Sequence, residues 1–152
     1  MFVTVESGPD RQAWVSLLEL ADEPVPLARY LDDGTLYGLT GDGGPRAAVL
    51  VIMLDDARAE LRAVAVAETE QGKGLGTEIV ERVFGALRER GVREVVVGTA
   101  TSGVRQLAFY QRLGFRLTHI ERDFFTVDNG YPADLSENGI PTRDMVWMSM
   151  QL

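Results

Sequence analysis

No cysteine occurs anywhere in the chain, which excludes disulfides, thiolate metal ligands and a thiol nucleophile. Histidine is nearly as scarce: His119 alone cannot build a histidine-rich metal site, and a single imidazole in a strand is more often structural than catalytic. Long apolar runs are missing as well. Ala47–Leu54 is among the longest and falls far below a membrane span, and Met1–Asp10 has no basic stretch followed by an apolar core. A cytoplasmic protein is expected. Positive charge is in the minority, with a formal net charge of -8, and the resulting field repels phosphate backbones and anionic lipid. Nucleic acid and membrane surfaces are therefore disfavoured as partners, and cationic or neutral small molecules fit better.

What is present is an ordinary globular balance, 45% hydrophobic and 25% charged over 152 residues, which predicts one folded domain spanning 1–152. Phe2, Val3 and Val5 predict a first strand. Gly8-Pro9-Asp10 then turns into a helix carrying Trp14, Leu17, Leu18 and Ala21, with Asp10 as its N-cap. Pro24 and Pro26 are expected to bracket a break before a short helix over Leu27–Leu31. Thr35–Leu39, Ala47–Leu54 and Ala59–Val66, separated by turns at Gly41–Gly44 and Asp55-Asp56, read as an antiparallel meander. The period changes at Gly76. Ile79, Val80, Val83, Phe84 and Leu87 mark a helix ended by Gly91, Val92–Val97 a buried strand, Val104–Leu113 a second helix stopped by Gly114, and Phe115–Ile120 and Met145–Leu152 the last strands. The aromatic residues Trp14, Phe84 and Phe109 fall at core positions.

Chemistry is concentrated where the strand ending at Val66 runs into Gln71-Gly72-Lys73-Gly74-Leu75-Gly76 and directly into a helix. Glycines allow positive φ and close backbone approach, and the free N–H groups and dipole of a helix start favour an anion. A Walker-type loop would need Gly-Lys-Ser/Thr, whereas Lys73 lies between glycines and no such triplet follows. A dinucleotide loop would need Gly-x-Gly-x-x-Gly in a parallel unit, whereas the glycines stand at 72, 74 and 76 after antiparallel strands.

The Gln-x-x-Gly-x-Gly pattern, the strand Leu61–Val66 before it, the helix and strand after it, and the block Gln106–Phe115 together resemble the GNAT superfamily of N-acetyltransferases, over roughly half the chain. The resemblance implies a mixed, mostly antiparallel central sheet flanked by helices (an α/β, or α+β, fold) and splayed at a cofactor cleft, with the parallel pair around the Gly76 helix. It implies acetyl-CoA as cosubstrate and no metal. Val64, Ala65 and Val66 would offer backbone groups to the pantetheine arm, and Gln71, Gly72, Lys73, Gly74, Leu75, Gly76 and Thr77 would hold the pyrophosphate, Lys73 mainly through its backbone. Tyr110 stands at the family's tyrosine, which serves the departing CoA sulfur, and Glu60 is the candidate base that takes the proton of the amine. The family's asparagine before the tyrosine helix is absent; Thr101 or Ser102 either replaces it through a hydroxyl or caps the helix.

The excursion Arg122–Arg143 mixes Phe124, Phe125 and Tyr131 with carboxylates, and reads either as a wall of the acceptor side or as a loop packed on its own aromatics. The acceptor implied is a primary amine of a small molecule or peptide, acetylated directly in a ternary complex because no cysteine is available to carry an acyl group. The alternative is a CoA-binding sensor or protein-interaction module without turnover. The last strands offer edges through which a homodimer can form.

Overall fold

The apolar, β-branched runs fold as strands and the 3.6-periodic segments as helices, in the order the patterning predicts. In the computed structural model, which describes residues 1–152, β1 (Phe2–Val5) is followed by a 3-10 turn (Pro9–Trp14), α1 (Val15–Leu18) and α2 (Pro24–Tyr30). The meander β2 (Thr35–Gly41), β3 (Gly44–Met53) and β4 (Arg58–Val66) comes next, then α3 (Leu75–Glu89), β5 (Glu94–Ala100), α4 (Val104–Leu113) and β6 (Arg116–Glu121). A small hairpin of β7 (Ser136–Glu137) and β8 (Ile140–Pro141) precedes β9 (Met145–Gln151). The main sheet has seven strands in the order β1-β2-β3-β4-β5-β9-β6, and only the β4–β5 pair is parallel, because α3 carries the chain back across the sheet between them.

Each face of the sheet buries its own core. On one side Ile79, Val80, Val83 and Leu87 of α3 pack on Val49, Val51, Leu61 and Val97; on the other Leu17, Leu18 and Leu27 pack on Leu36, Leu50 and Ala63. Burying each such side chain contributes about 1.5–3 kcal/mol. Trp14 lies so close to the sheet that a Cβ on Gly38 would fall 2.1 Å from its ring, so Gly38 makes room for the indole. Buried Arg11 ties this side together by donating to the main-chain carbonyls of Val5, Leu31, Asp33 and Gly34.

Several local expectations are corrected. Gly8, with φ of 93°, occupies the cap position; Asp10 sits inside the 3-10 turn and makes no cap. The expected single helix around Trp14 is this 3-10 turn followed by one α turn. Pro24 and Pro26 do not break a helix but lie in the first turn of α2, where no intrahelical N–H is required. The strand expected over Val92–Val97 is displaced: Val92 still belongs to the turn after α3, donating to the Leu87 carbonyl, and β5 runs on through Gly98 and Thr99 to Ala100. The β7–β8 hairpin was not foreseen, although Asn138-Gly139, both at positive φ, is a strong signal for a two-residue hairpin turn.

The feature that positions the site is the way the parallel pair ends. β4 and β5 are joined only from Arg58–Leu61 to Glu94–Val97. Beyond that point a bulge at Arg62, where the β3 register shifts between Leu50 and Val51, bends β4 away and opens a seam in the sheet.

Candidate active site

The glycine loop stands at one end of this seam. Gly72 and Gly74 adopt φ of 78° and 82°, and a Cβ on either would meet nothing within 4 Å, so the backbone conformation and not crowding calls for glycine there. Gly76 differs: it lies in the first turn of α3, and a Cβ would come within 3.2 Å of the Phe109 ring, so it serves the close approach of α3 to α4. Gly74 caps α3 in a left-handed conformation, and no side chain covers the helix start. Six successive N–H groups, from Gly72 to Thr77, have no acceptor within the chain. Free donors at a helix start, with the helix dipole behind them, favour an anion. The loop is braced from behind: Arg46 donates twice to Glu70, at 3.2 Å each, and the Gln71 amide donates to the Val66 carbonyl at 3.0 Å. Lys73 faces Glu70 at 3.7 Å, and the Arg46 guanidinium holds the Glu70 carboxyl below its ordinary range.

Along the seam the backbone of β4 alternates. Ala67 donates to the Arg46 carbonyl, so the ladder makes Ala65 a hydrogen-bonded partner of Ala48 on β3 and turns the N–H and C=O groups of Val64 and Val66 toward the opening. Val64 and Val66 thus turn their main-chain groups to the opening, where the Val66 carbonyl accepts the Gln71 amide, and Ala65 turns its own to β3.

The seam widens into a cavity of about 810 Å³ lined by Glu60, Arg62, Val64, Gly98, Thr99, Tyr110 and residues of the 122–143 excursion. Tyr110 is buried and edge-on to Phe109 and Phe115, and burial pushes its phenol above the ordinary range. Glu60 is buried on β4 and receives both Arg62 nitrogens, Nε to Oε2 and Nη2 to Oε1, each at 2.8 Å. The Arg62 guanidinium, whose pKa this bond raises, also lies 5.3 Å over the Tyr30 ring.

Farther out, Asp22 accepts the Tyr30 hydroxyl on Oδ2 at 2.7 Å and the Tyr131 hydroxyl on Oδ1 at 2.9 Å, joining the start of α2 to the 122–143 excursion. Burial, then the charge of Asp22, raises both phenols. Phe124, Phe125 and Tyr131 pack edge-on against one another and also line the cavity, so the segment both rests on its own aromatics and forms a cavity wall. Seven acidic side chains line the cavity against two arginines, Arg29 and Arg62, so its field is strongly negative.

The two candidate catalytic residues, Tyr110 and Glu60, thus share one cavity, and the loop residues lie at the far end of the same seam. Thr101 and Ser102 do not cap α4, whose N-cap is Gly103, with no side-chain cap; the Ser102 hydroxyl is buried and shares a 2.8 Å hydrogen bond with Thr142. His119 is exposed, beside Thr118 and Trp147, away from the cavity lining. Sequence reasoning missed Asp22, Tyr30 and Arg62. Arg62 was within reach, since it stands two residues after Glu60 on a strand and so shares its side; Asp22 and Tyr30 carry no local signal.

Comparison with known proteins gives one consistent result. The family model described as acetyltransferase (GNAT) family matches residues 5–115. An uncharacterized N-acetyltransferase, YvbK of Bacillus subtilis, is 34% identical over 139 residues, covering 90% of this chain and 87% of that protein. Among solved structures, a GNAT family acetyltransferase from Elizabethkingia anophelis with acetyl-CoA bound superposes with a TM-score of 0.87 at 30% identity, over 99% of this chain and 98% of the other. The IAA acetyltransferase from Bacillus cereus does so with a TM-score of 0.86 at 34% identity, over the full length of both.

Proposed function

This chain belongs to the GNAT acetyltransferase family, and we propose that it moves an acetyl group from acetyl-CoA directly to a primary amine in a ternary complex. The observation that carries the reading is the run of six free N–H groups at one end of a seam whose other end is an acidic cavity holding Tyr110 and Glu60. These residues fit the cofactor: the loop suits a diphosphate, and the open amide edge at Val64 and Val66 suits the amide-bearing, strand-like pantetheine. Bound there, acetyl-CoA supplies an activated acetyl thioester.

The chain's own groups then have separable tasks. The backbone N–H groups of Gly72–Thr77 bind the diphosphate, with Gln71 and Lys73 holding the loop's shape. The negative field of the cavity draws in a cationic amine, which must shed a proton before it can attack. Glu60 accepts that proton directly or through a water; Arg62 fixes its orientation and leaves a second lone pair on each oxygen. Tyr110, kept protonated by burial, donates to the departing sulfur. With no cysteine in the chain, no acyl-cysteine intermediate is open to it.

Thiol release from acetyl-CoA, measured across a panel of polyamines, aminoglycosides and peptides, tests the reading. At least one amine should turn over. Tyr110→Phe and Glu60→Gln should each lower kcat by about 10²-fold while leaving acetyl-CoA affinity unchanged. Tight acetyl-CoA binding with no turnover on any class would instead make the protein a CoA-binding module.

A further inference from the structure

Glu60 is held by contacts that leave β4 and cross to α2. Arg62 is the extra residue of the β4 bulge and has no partner on β3, so the main chain beneath it is not tied into the ladder. Its side chain is 35% exposed, against 8% for Glu60, and all of its polar contacts go to the two Glu60 oxygens. Such a bidentate pair fixes the two groups to one another but not to the rest of the protein. Guanidinium and carboxylate remain free to swing together about their own side-chain bonds.

Tyr30, the last residue of α2, meets that need. It is buried in the apolar core beneath α2, and its ring lies under the Arg62 guanidinium at 5.3 Å. The far end of the ring is pinned, because the hydroxyl donates to Asp22 Oδ2 at 2.7 Å. Asp22 is pinned in turn: its Oδ1 accepts the Glu23 N–H and the Tyr131 hydroxyl, each at 2.9 Å. A phenol that donates to a carboxylate also has a more electron-rich ring, which strengthens its hold on a cation.

We propose that Tyr30 is a positioning residue of the reaction: its ring, fixed by Asp22, holds the plane of Arg62 and through it the direction in which Glu60 presents its free lone pairs to the cavity. The proposal rests on the reading of Glu60 as the base. A base acts only on a proton within hydrogen-bond reach, and the groups that lock its rotamer keep it there. Asp22 thereby has a second task besides its charge, and Tyr131 links the same carboxylate to the wall of the acceptor side.

Two measurements on the full chain separate holding from catalysis. Exchange of the Arg62 Nε–H proton with water, followed by NMR and assigned by loss of the signal in Arg62→Lys, reads the holding without turnover. It should be at least about tenfold faster in Tyr30→Leu, and about twofold faster in Tyr30→Phe, which keeps the ring and loses only the bond to Asp22. Turnover reads the consequence: kcat should fall about tenfold in Tyr30→Leu and about threefold in Tyr30→Phe, with the KM for acetyl-CoA unchanged. In a Glu60→Gln background the same two changes should lower kcat by less than about twofold further, because a residue that acts through Glu60 has nothing left to position. Tyr30→Phe preserves the buried shape and carries the comparison if the leucine variant does not fold. A kcat loss equally large in both backgrounds, or Arg62 exchange indifferent to Tyr30→Leu, would overturn the proposal. Should Glu60→Gln turn over like the parent, or no amine turn over at all, the reading of Glu60 as the base falls and the positioning role with it, while the exchange measurement still shows whether Tyr30 holds Arg62.

Discussion

The two ends of the seam are made of different materials. The loop end presents backbone: six N–H groups from consecutive residues, shaped by two glycines at positive φ and braced by Arg46, Glu70 and Gln71. The cavity end presents side chains drawn from α2, β4, α4 and the 122–143 excursion, held by bonds such as Tyr131 to Asp22 that span more than 100 positions of chain. A ligand common to a family can be met by backbone, which is indifferent to side-chain identity. A ligand particular to one member is read by side chains, which vary.

That division is open to attack. Gly74→Val should have the largest effect on cofactor binding. A side chain in the left-handed region costs roughly 1–2 kcal/mol, or about 5–30-fold in affinity, so acetyl-CoA affinity by calorimetry should fall while the KM for the amine stays near its parent value. Asp22→Asn is the reciprocal case: removing one charge from the cavity should raise the KM for a cationic amine roughly three- to tenfold without altering acetyl-CoA binding. Should both variants impair both ligands alike, the two ends are not separate.

The cavity end should also be the more sensitive to alkali. Burial raises the phenols of Tyr30, Tyr110 and Tyr131 above their ordinary 10.0, so the folded chain keeps these protons where the unfolded chain loses them. Their contribution is fully present below about pH 10 and is lost as pH rises toward the folded values. Thermal melts should therefore fall above that pH, and less steeply in Tyr131→Phe. The smallest effect belongs to Lys73→Ala: an exposed lysine beside Glu70 adds little to an anion site already made by amides, and acetyl-CoA affinity should change less than about twofold.

Legibility followed the same line. The meander, α3, α4 and the parallel crossover were readable because each rests on a local period or a terminating glycine, as at Gly91 and Gly114. The break expected at Pro24 and Pro26 was misread because proline tolerates the first turn of a helix as well as it ends one. Glu60 and Tyr110 were placed by resemblance, and the fold brings them into one cavity. Asp22, Tyr30 and the pairing role of Arg62 were not readable, since an aspartate before a proline-rich helix looks like any solvated cap.

The sequence by itself determined the order of elements, the anion loop and the family, because these depend on residues adjacent in the chain and on backbone conformations that only certain residues adopt. Tertiary structure alone decided where β4 parts from β5, which backbone groups face the opening, and which carboxylates line the cavity. Those follow from one bulge at Arg62 and from contacts between segments far apart in sequence, where no local pattern carries the information.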